Sequence, residues 1–292
     1  MRSDPYLSAS LVAEKVVREH GISRLPVDPI ALAESLGILV KAKPANAKGV
    51  SGMLLRLGNE FGIAYATHID NVGFQNFSVG HELGHYFLPG HVDAVLANGD
   101  VHESRAGFSS GDRYEMEADH FAATLLMPRA LFTSAMRTAG DGLGAIQKLA
   151  KQCSTSLTAT AIRYAKCTRE PVAIVVSTGT EIHYCVMSDA LKDVKGLEWI
   201  RRGDRLSSST VTYVFNQHPQ RIRCAERQED ESDLQDWFGG DGSLTGTEEV
   251  IGLGNYGRTL TVLTAVDIEE QVEEIEEEEA LRESWTPRFR RR

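Results

Sequence analysis

The sequence predicts an α+β protein, with helices packed on a small sheet in its first part and a smaller sheet-containing part after it. Three observations carry that expectation. Up to about residue 135, runs with apolar residues at helical spacing alternate with short β-prone runs. Residues 136–169 continue in helical pattern, and from Glu170 the chain turns to β-rich runs.

Residues 8–20 place Leu11, Val12, Val16 and Val17 on one helical side, with Gly21 as the stop. Asp28-Pro29 marks a break, and Asp28 is suited to cap a short helix through Ile30–Gly37. Ile38–Lys41 reads as a strand. Gly52–Leu57 and Phe61–Ala66 alternate as a hairpin around Gly58-Asn59. The stretch FQNFSVGHELGHYFL is helical, with Asn76 or Ser78 as its cap and Pro89-Gly90 as its end. A polar, glycine-rich loop is expected from His91 to Asp112, then a second strong helix from about Asp112 to Met127, closed by Pro128. Residues 144–166 read as two short helices joined at Cys153-Ser154. PVAIVVS, EIHYCVM, STVTYVF and RTLTVLTAV read as strands. The motif Gly252-Leu253-Gly254-Asn255-Tyr256-Gly257 is formally GxGxxG. A strand-like run follows it where a dinucleotide site needs a helix, so it reads as a turn.

The 292 residues are 42% hydrophobic and 25% charged, ordinary for a soluble chain with a real core. No apolar run reaches the roughly 18–20 residues of a membrane span, and the N-terminus lacks a secretory pattern. Cytoplasmic location without membrane partners is therefore expected. Cys153, Cys167, Cys185 and Cys224 are scattered and read as free thiols. Net charge is −10, against broad attraction to nucleic acid. Half of it lies in 267–292, which holds ten acidic residues and five arginines. Direct nucleic-acid binding by a local patch is thus possible but not favoured.

The chemistry lies in His81-Glu82-Leu83-Gly84-His85. On a helix, residues four apart differ by about 40° in azimuth and about 6 Å in rise. His81 and His85 can therefore hold one metal ion, Zn2+ by this motif. Glu82 reaches the fourth position as general base. Zinc brings the pKa of water down to roughly 7, so the reaction expected is hydrolysis at a carbonyl. Gly84 reads as leaving room beside the metal. The third ligand is sought among His91, His102, Glu103, Glu115, Glu117, Asp119 and His120. Glu115 is favoured, because Asp119 lies one turn further on the same side, suited to orient a ligand histidine. Glu117 is second, lacking that partner. His91 reads as a surface loop residue, Glu103 as solvated rather than lining the cleft, and His120 as facing elsewhere.

FSVGHELGHYFL followed by EMEADHFAATLLMP resembles the ImmA/IrrE family of metallopeptidases, as does LPVDPIALAESLGILV upstream. The resemblance is strong over 8–132 and weaker to 166. It implies a minimal gluzincin-like core of a small sheet, an HExxH helix and a glutamate helix. His81, His85 and Glu115 would then be ligands and Glu82 the base. It also implies regulated cleavage of a protein substrate, a DNA-binding transcriptional repressor, in a stress-response or phage-type switch. The divisions expected are a zinc metallopeptidase core at 1–135, a helical, helix-turn-helix-like segment at 136–169, a sensor-like α/β or β-rich domain at 170–266, and a charged tail at 267–292. The competing expectation is a peptidase-like binding or regulatory module without turnover, in a toxin–antitoxin pair or as a transcription regulator.

Overall fold

A computed structural model describes residues 5–43, 49–69, 71–104, 112–240 and 244–266; the tail at 267–292 lies outside them. The chain divides into two compact units between Arg163 and Tyr164.

The first unit runs α1 (Pro5–Glu19), α2 (Pro29–Ser35), β1 (Leu39–Lys43), β2 (Gly52–Leu57), β3 (Glu60–Ala66), α3 (Val72–Phe87), α4 (His91–Val95), β4 (Val101–Ser104), α5 (Arg113–Leu126), α6 (Arg129–Ala139) and α7 (Gly142–Cys153). A further helix, α8 (Leu157–Cys167), crosses the division. Asp28 caps α2 as expected, accepting from the amides of Ile30 and Ala31 at 3.0 and 2.9 Å. The four strands lie in the order β1-β3-β2-β4, with β1 parallel to β3 and the other pairs antiparallel.

Helix α3 is the centre of this unit. Ser78 through His85 are all buried, the mark of a helix covered on every side. Leu54 of β2 and Ile63 of β3 meet Val79 and Leu83 of α3, joined by Phe121 and Leu125 of α5 and by Ala13, Val16 and Val17 of α1. Each fully buried leucine, isoleucine or phenylalanine stabilises the unit by about 1.5–3 kcal/mol. The cap of α3 is Asn71, whose side chain accepts from the Phe74 amide at 3.0 Å. The expected caps serve otherwise: Ser78 donates to the carbonyl of Phe74, four residues back, and Asn76 to that of Ser154.

The expected loop from His91 to Asp112 contains both α4 and the edge strand β4. Strand β4 is four residues long and turns His102 and Ser104 inward, so it shows no apolar alternation.

The second unit has a five-stranded antiparallel sheet in the order β6-β5-β9-β8-β7. The strands are β5 (Val172–Thr178), β6 (Glu181–Met187), β7 (Arg227–Asp233), β8 (Thr245–Gly252) and β9 (Thr259–Ala265). Four short helices accompany it: α9 (Asp189–Lys192), α10 (Val211–Asn216), α11 (Pro219–Arg223) and α12 (Gln235–Phe238). Ala173, Val175 and Leu263 pack with Leu234, Trp237 and Phe238, while Val250 packs with Phe215 and Ile222. The expected strand STVTYVF is instead the cap and body of α10. Thr210 caps it by accepting from the Tyr213 amide, and the Thr212 amide donates to the buried carboxylate of Glu248 at 2.5 Å. Tertiary bonding here overrides the β preference of valine and threonine. The Gly252–Gly257 motif forms the turn between β8 and β9, which pair directly.

Candidate metal centre

Helices α3 and α5 cross closely because small residues face each other. A Cβ at Gly84 would stand 3.0 Å from Cα of Ala118, and one at Gly80 would stand 3.4 Å from Cβ of Ala122. Gly84 therefore makes room for the backbone of α5; the expectation that it leaves space beside a metal is corrected. The close crossing brings the first turn of α5, with Glu115, to the histidines of α3.

His81, His85 and Glu115 each offer a ligand atom, all within 4.8 Å of one another. Nε2 of His81 lies 3.0 Å from Nε2 of His85. The two Glu115 oxygens lie 3.3 Å from these nitrogens, Oε2 from His81 and Oε1 from His85. A tetrahedral metal ion with bonds of about 2.0–2.1 Å requires ligand atoms about 3.3 Å apart. Two imidazole nitrogens and one carboxylate at that spacing fit a divalent cation.

Glu82 is fully buried with the Ser104 hydroxyl beside its carboxylate, and neither of its oxygens has a hydrogen bond of ordinary geometry among the described residues. Unpartnered buried carboxylate oxygens cost stability, which points to a partner that comes from outside the chain. Strand β2 leaves space for this carboxylate through a glycine, since a Cβ on Gly52 would overlap Oε1 of Glu82.

Each of the three converging side chains has a neighbour that orients it. His81 donates through Nδ1 to Asp119 at 2.8 Å. His102 of β4 donates through Nε2 to Glu115 Oε1 at 3.0 Å. His85 meets His91 through their Nδ1 atoms at 3.2 Å, and His91 donates through Nε2 to Glu117 at 2.9 Å. His91, expected on a surface loop, is thus buried behind His85, and Glu117 stands behind His91 rather than in the centre. Glu103 is exposed on the other face of β4, and His120 stacks on Tyr6 with ring centroids 4.7 Å apart. No sequence pattern marks His102 or His91 in these places. Only the register of β4 against β2, pairing His102 with Leu54, turns His102 inward.

The electrostatics follow from burial and charge. Burial works to lower the pKa of His81, but Asp119, Glu115 and Glu82 outweigh it and hold His81 at about 10. Burial takes His85 down to about 4, and it also lowers His91. Burial raises Glu82, with the positive charge of His81 opposing it. Burial would raise Glu115, yet bonds from His102, His81 and His85 hold its carboxyl well below the usual range. Displaced titrations gathered at one point are a mark of a functional site.

The model of the IrrE N-terminal-like domain, peptidase family M78, matches residues 33–164. Among solved structures, a transcriptional regulator of Mycobacterium tuberculosis is similar in fold, with a TM-score of 0.55 at 14% identity, over 90% of this chain and 89% of its own. No curated protein matches the chain. No helix among the described residues is long and apolar enough to cross a membrane. His81, Glu82, His85, His91, His102, Glu115, Glu117 and Asp119 all fall within the matched stretch, and residues 33–164 belong to the ImmA/IrrE family of M78 peptidase domains.

Proposed function

We propose that this protein is a zinc-dependent endopeptidase that cleaves a regulatory protein partner, a DNA-binding transcriptional repressor, in a stress-response or phage-type switch. The observation that supports it best is the convergence of His81, His85 and Glu115 beside an unpartnered, buried Glu82. In this reading the first three residues hold zinc and Glu82 is the general base. Zinc, when bound, supplies polarisation of the scissile carbonyl and acidification of water.

The chain's own residues do the rest. The Glu82 carboxylate takes a proton from the attacking water and passes it to the leaving amine. Its burial raises its proton affinity above that of an ordinary carboxylate, in the direction that favours a general base. Asp119 keeps the proton of His81 on Nδ1, leaving Nε2 free toward the metal. The substrate lies extended along β4. Strand β3 is paired on both sides, whereas β4 ends the sheet and carries His102 into the centre. We assign the catalytic core to 1–135, a helix-turn-helix-like role to 136–169 and sensing to 170–266.

The competing module without turnover has no use for a carboxylate buried beside three converging ligand atoms with only the Ser104 hydroxyl near it. Co-expression of the repressor with the wild type and with Glu82→Gln tests the proposal. A metal-dependent fragment is expected with the wild type alone; equal cleavage by Glu82→Gln sinks the mechanism.

A further inference from the structure

Behind His85 lies a chain of three polar side chains, His91, Glu117 and Arg113, that peptide hydrolysis does not itself require. Arg113 donates through Nε to Glu117 Oε1 at 2.5 Å. Glu117 Oε2 faces His91 Nε2 at 2.9 Å, and His91 Nδ1 faces His85 Nδ1 at 3.2 Å. His85 is fully buried and His91 is 1% exposed, while the side chain of Arg113 is 72% exposed. The chain therefore runs from solvent to the metal position.

We propose that Arg113, Glu117 and His91 form a relay that fixes the tautomer of His85 and so sets how tightly the centre holds its metal. This rests on the zinc reading above. Each link has only one arrangement of donors. Arg113 forms an ion pair with Glu117 at 2.5 Å, and a carboxylate paired with a guanidinium only accepts. His91 must then carry its proton on Nε2 and offer Nδ1 as an acceptor. His85 in turn donates through Nδ1, which leaves the lone pair of its Nε2 aimed at His81 and Glu115. The reversed chain would put a proton on His85 Nε2, where a metal ligand must have none. A network that merely packed the segment after α3 would not depend on this direction.

The discriminating variant is Glu117→Gln, which keeps shape and removes only the charge. With the amide oxygen held by Arg113, its NH2 group faces His91 and donates, reversing the relay. Zinc affinity of the full chain is measured by competition with a chromophoric chelator, with the Tm of the metal-free form as the check on folding. The expected loss is about 10–100-fold at unchanged Tm. Arg113→Met added to Glu117→Gln frees the amide to turn and recovers part of that loss. A folded Glu117→Gln with wild-type affinity overturns the relay. Absence of zinc binding by the wild type overturns the zinc reading, and the relay with it. Long-range 15N–1H correlation spectra of the zinc-loaded wild type give a second readout that needs no variant. The proton of His91 is expected on Nε2, and a proton on Nδ1 overturns the relay.

Discussion

Gly52 and Glu82 face each other where β2 passes α3, and the carboxylate of Glu82 occupies the space that a Cβ at residue 52 would fill. Gly52→Ala must therefore push the carboxylate aside, since the atoms nearest the added Cβ all belong to Glu82. Zinc content is expected to stay at the wild-type level while cleavage falls about 10²–10⁴-fold, the range for losing a positioned acid–base group. Elemental analysis and a cleavage assay on one preparation check both. Full cleavage by Gly52→Ala would mean that Glu82 is not placed by this strand.

The proton on His81 gives the metal-free protein a pH signature. Burial lowers its pKa, and Asp119, Glu115 and Glu82 raise it further than burial lowers it, from the ordinary 6.5 to about 10. A raised histidine stabilises the fold fully below 6.5, and that contribution fades as pH rises toward 10. Protein stripped of metal by chelation should thus lose stability over that window, and zinc should abolish the dependence. His85, at about 4, is already neutral near pH 7. Zinc binding at pH 7 should therefore release about one proton, from His81. Calorimetry in buffers of different ionisation enthalpy reads this number, and release of none would show that His81 is already neutral in the metal-free protein.

In the second unit, Glu248 is a fully buried carboxylate without a cation among its hydrogen bonds. It accepts from the amide of Thr212 at 2.5 Å, from Ser232 Oγ at 3.0 Å and from Trp237 Nε1 at 3.0 Å. These bonds tie α10, β7 and α12 to the middle of β8. Glu248→Leu leaves two buried donors unmatched, the Thr212 amide and Trp237 Nε1, at about 1–3 kcal/mol each. Denaturant unfolding followed by tryptophan fluorescence should show a loss of several kcal/mol. An unchanged midpoint would show that the carboxylate does not hold these elements.

The same residues explain what was legible in the sequence. The hairpin of β2 and β3 and the helices α3 and α5 carry their own periodicity, so their positions follow from it. The grouping of His81, His85 and Glu115 follows from helical spacing and the Glu115–Asp119 turn. Strands β7 and β8 carry no such signal. Strand β7 is a charged edge, Arg227–Asp233, as edges often are. Strand β8 holds Glu248 and Glu249 inside the sheet, buried by bonds that only the fold supplies. His91 and His102 could not be placed in advance, because a short helix and a four-residue strand bring them in. Gly84 was misread for a related reason: the neighbour that requires it, Ala118, is 34 residues away on another helix.

Metal content of the purified full chain tests the central claim most directly. The account predicts about one zinc ion per chain in the wild type and none retained through dialysis by His81→Ala or His85→Ala. A folded wild type without zinc, or the same zinc content in these variants, would contradict it.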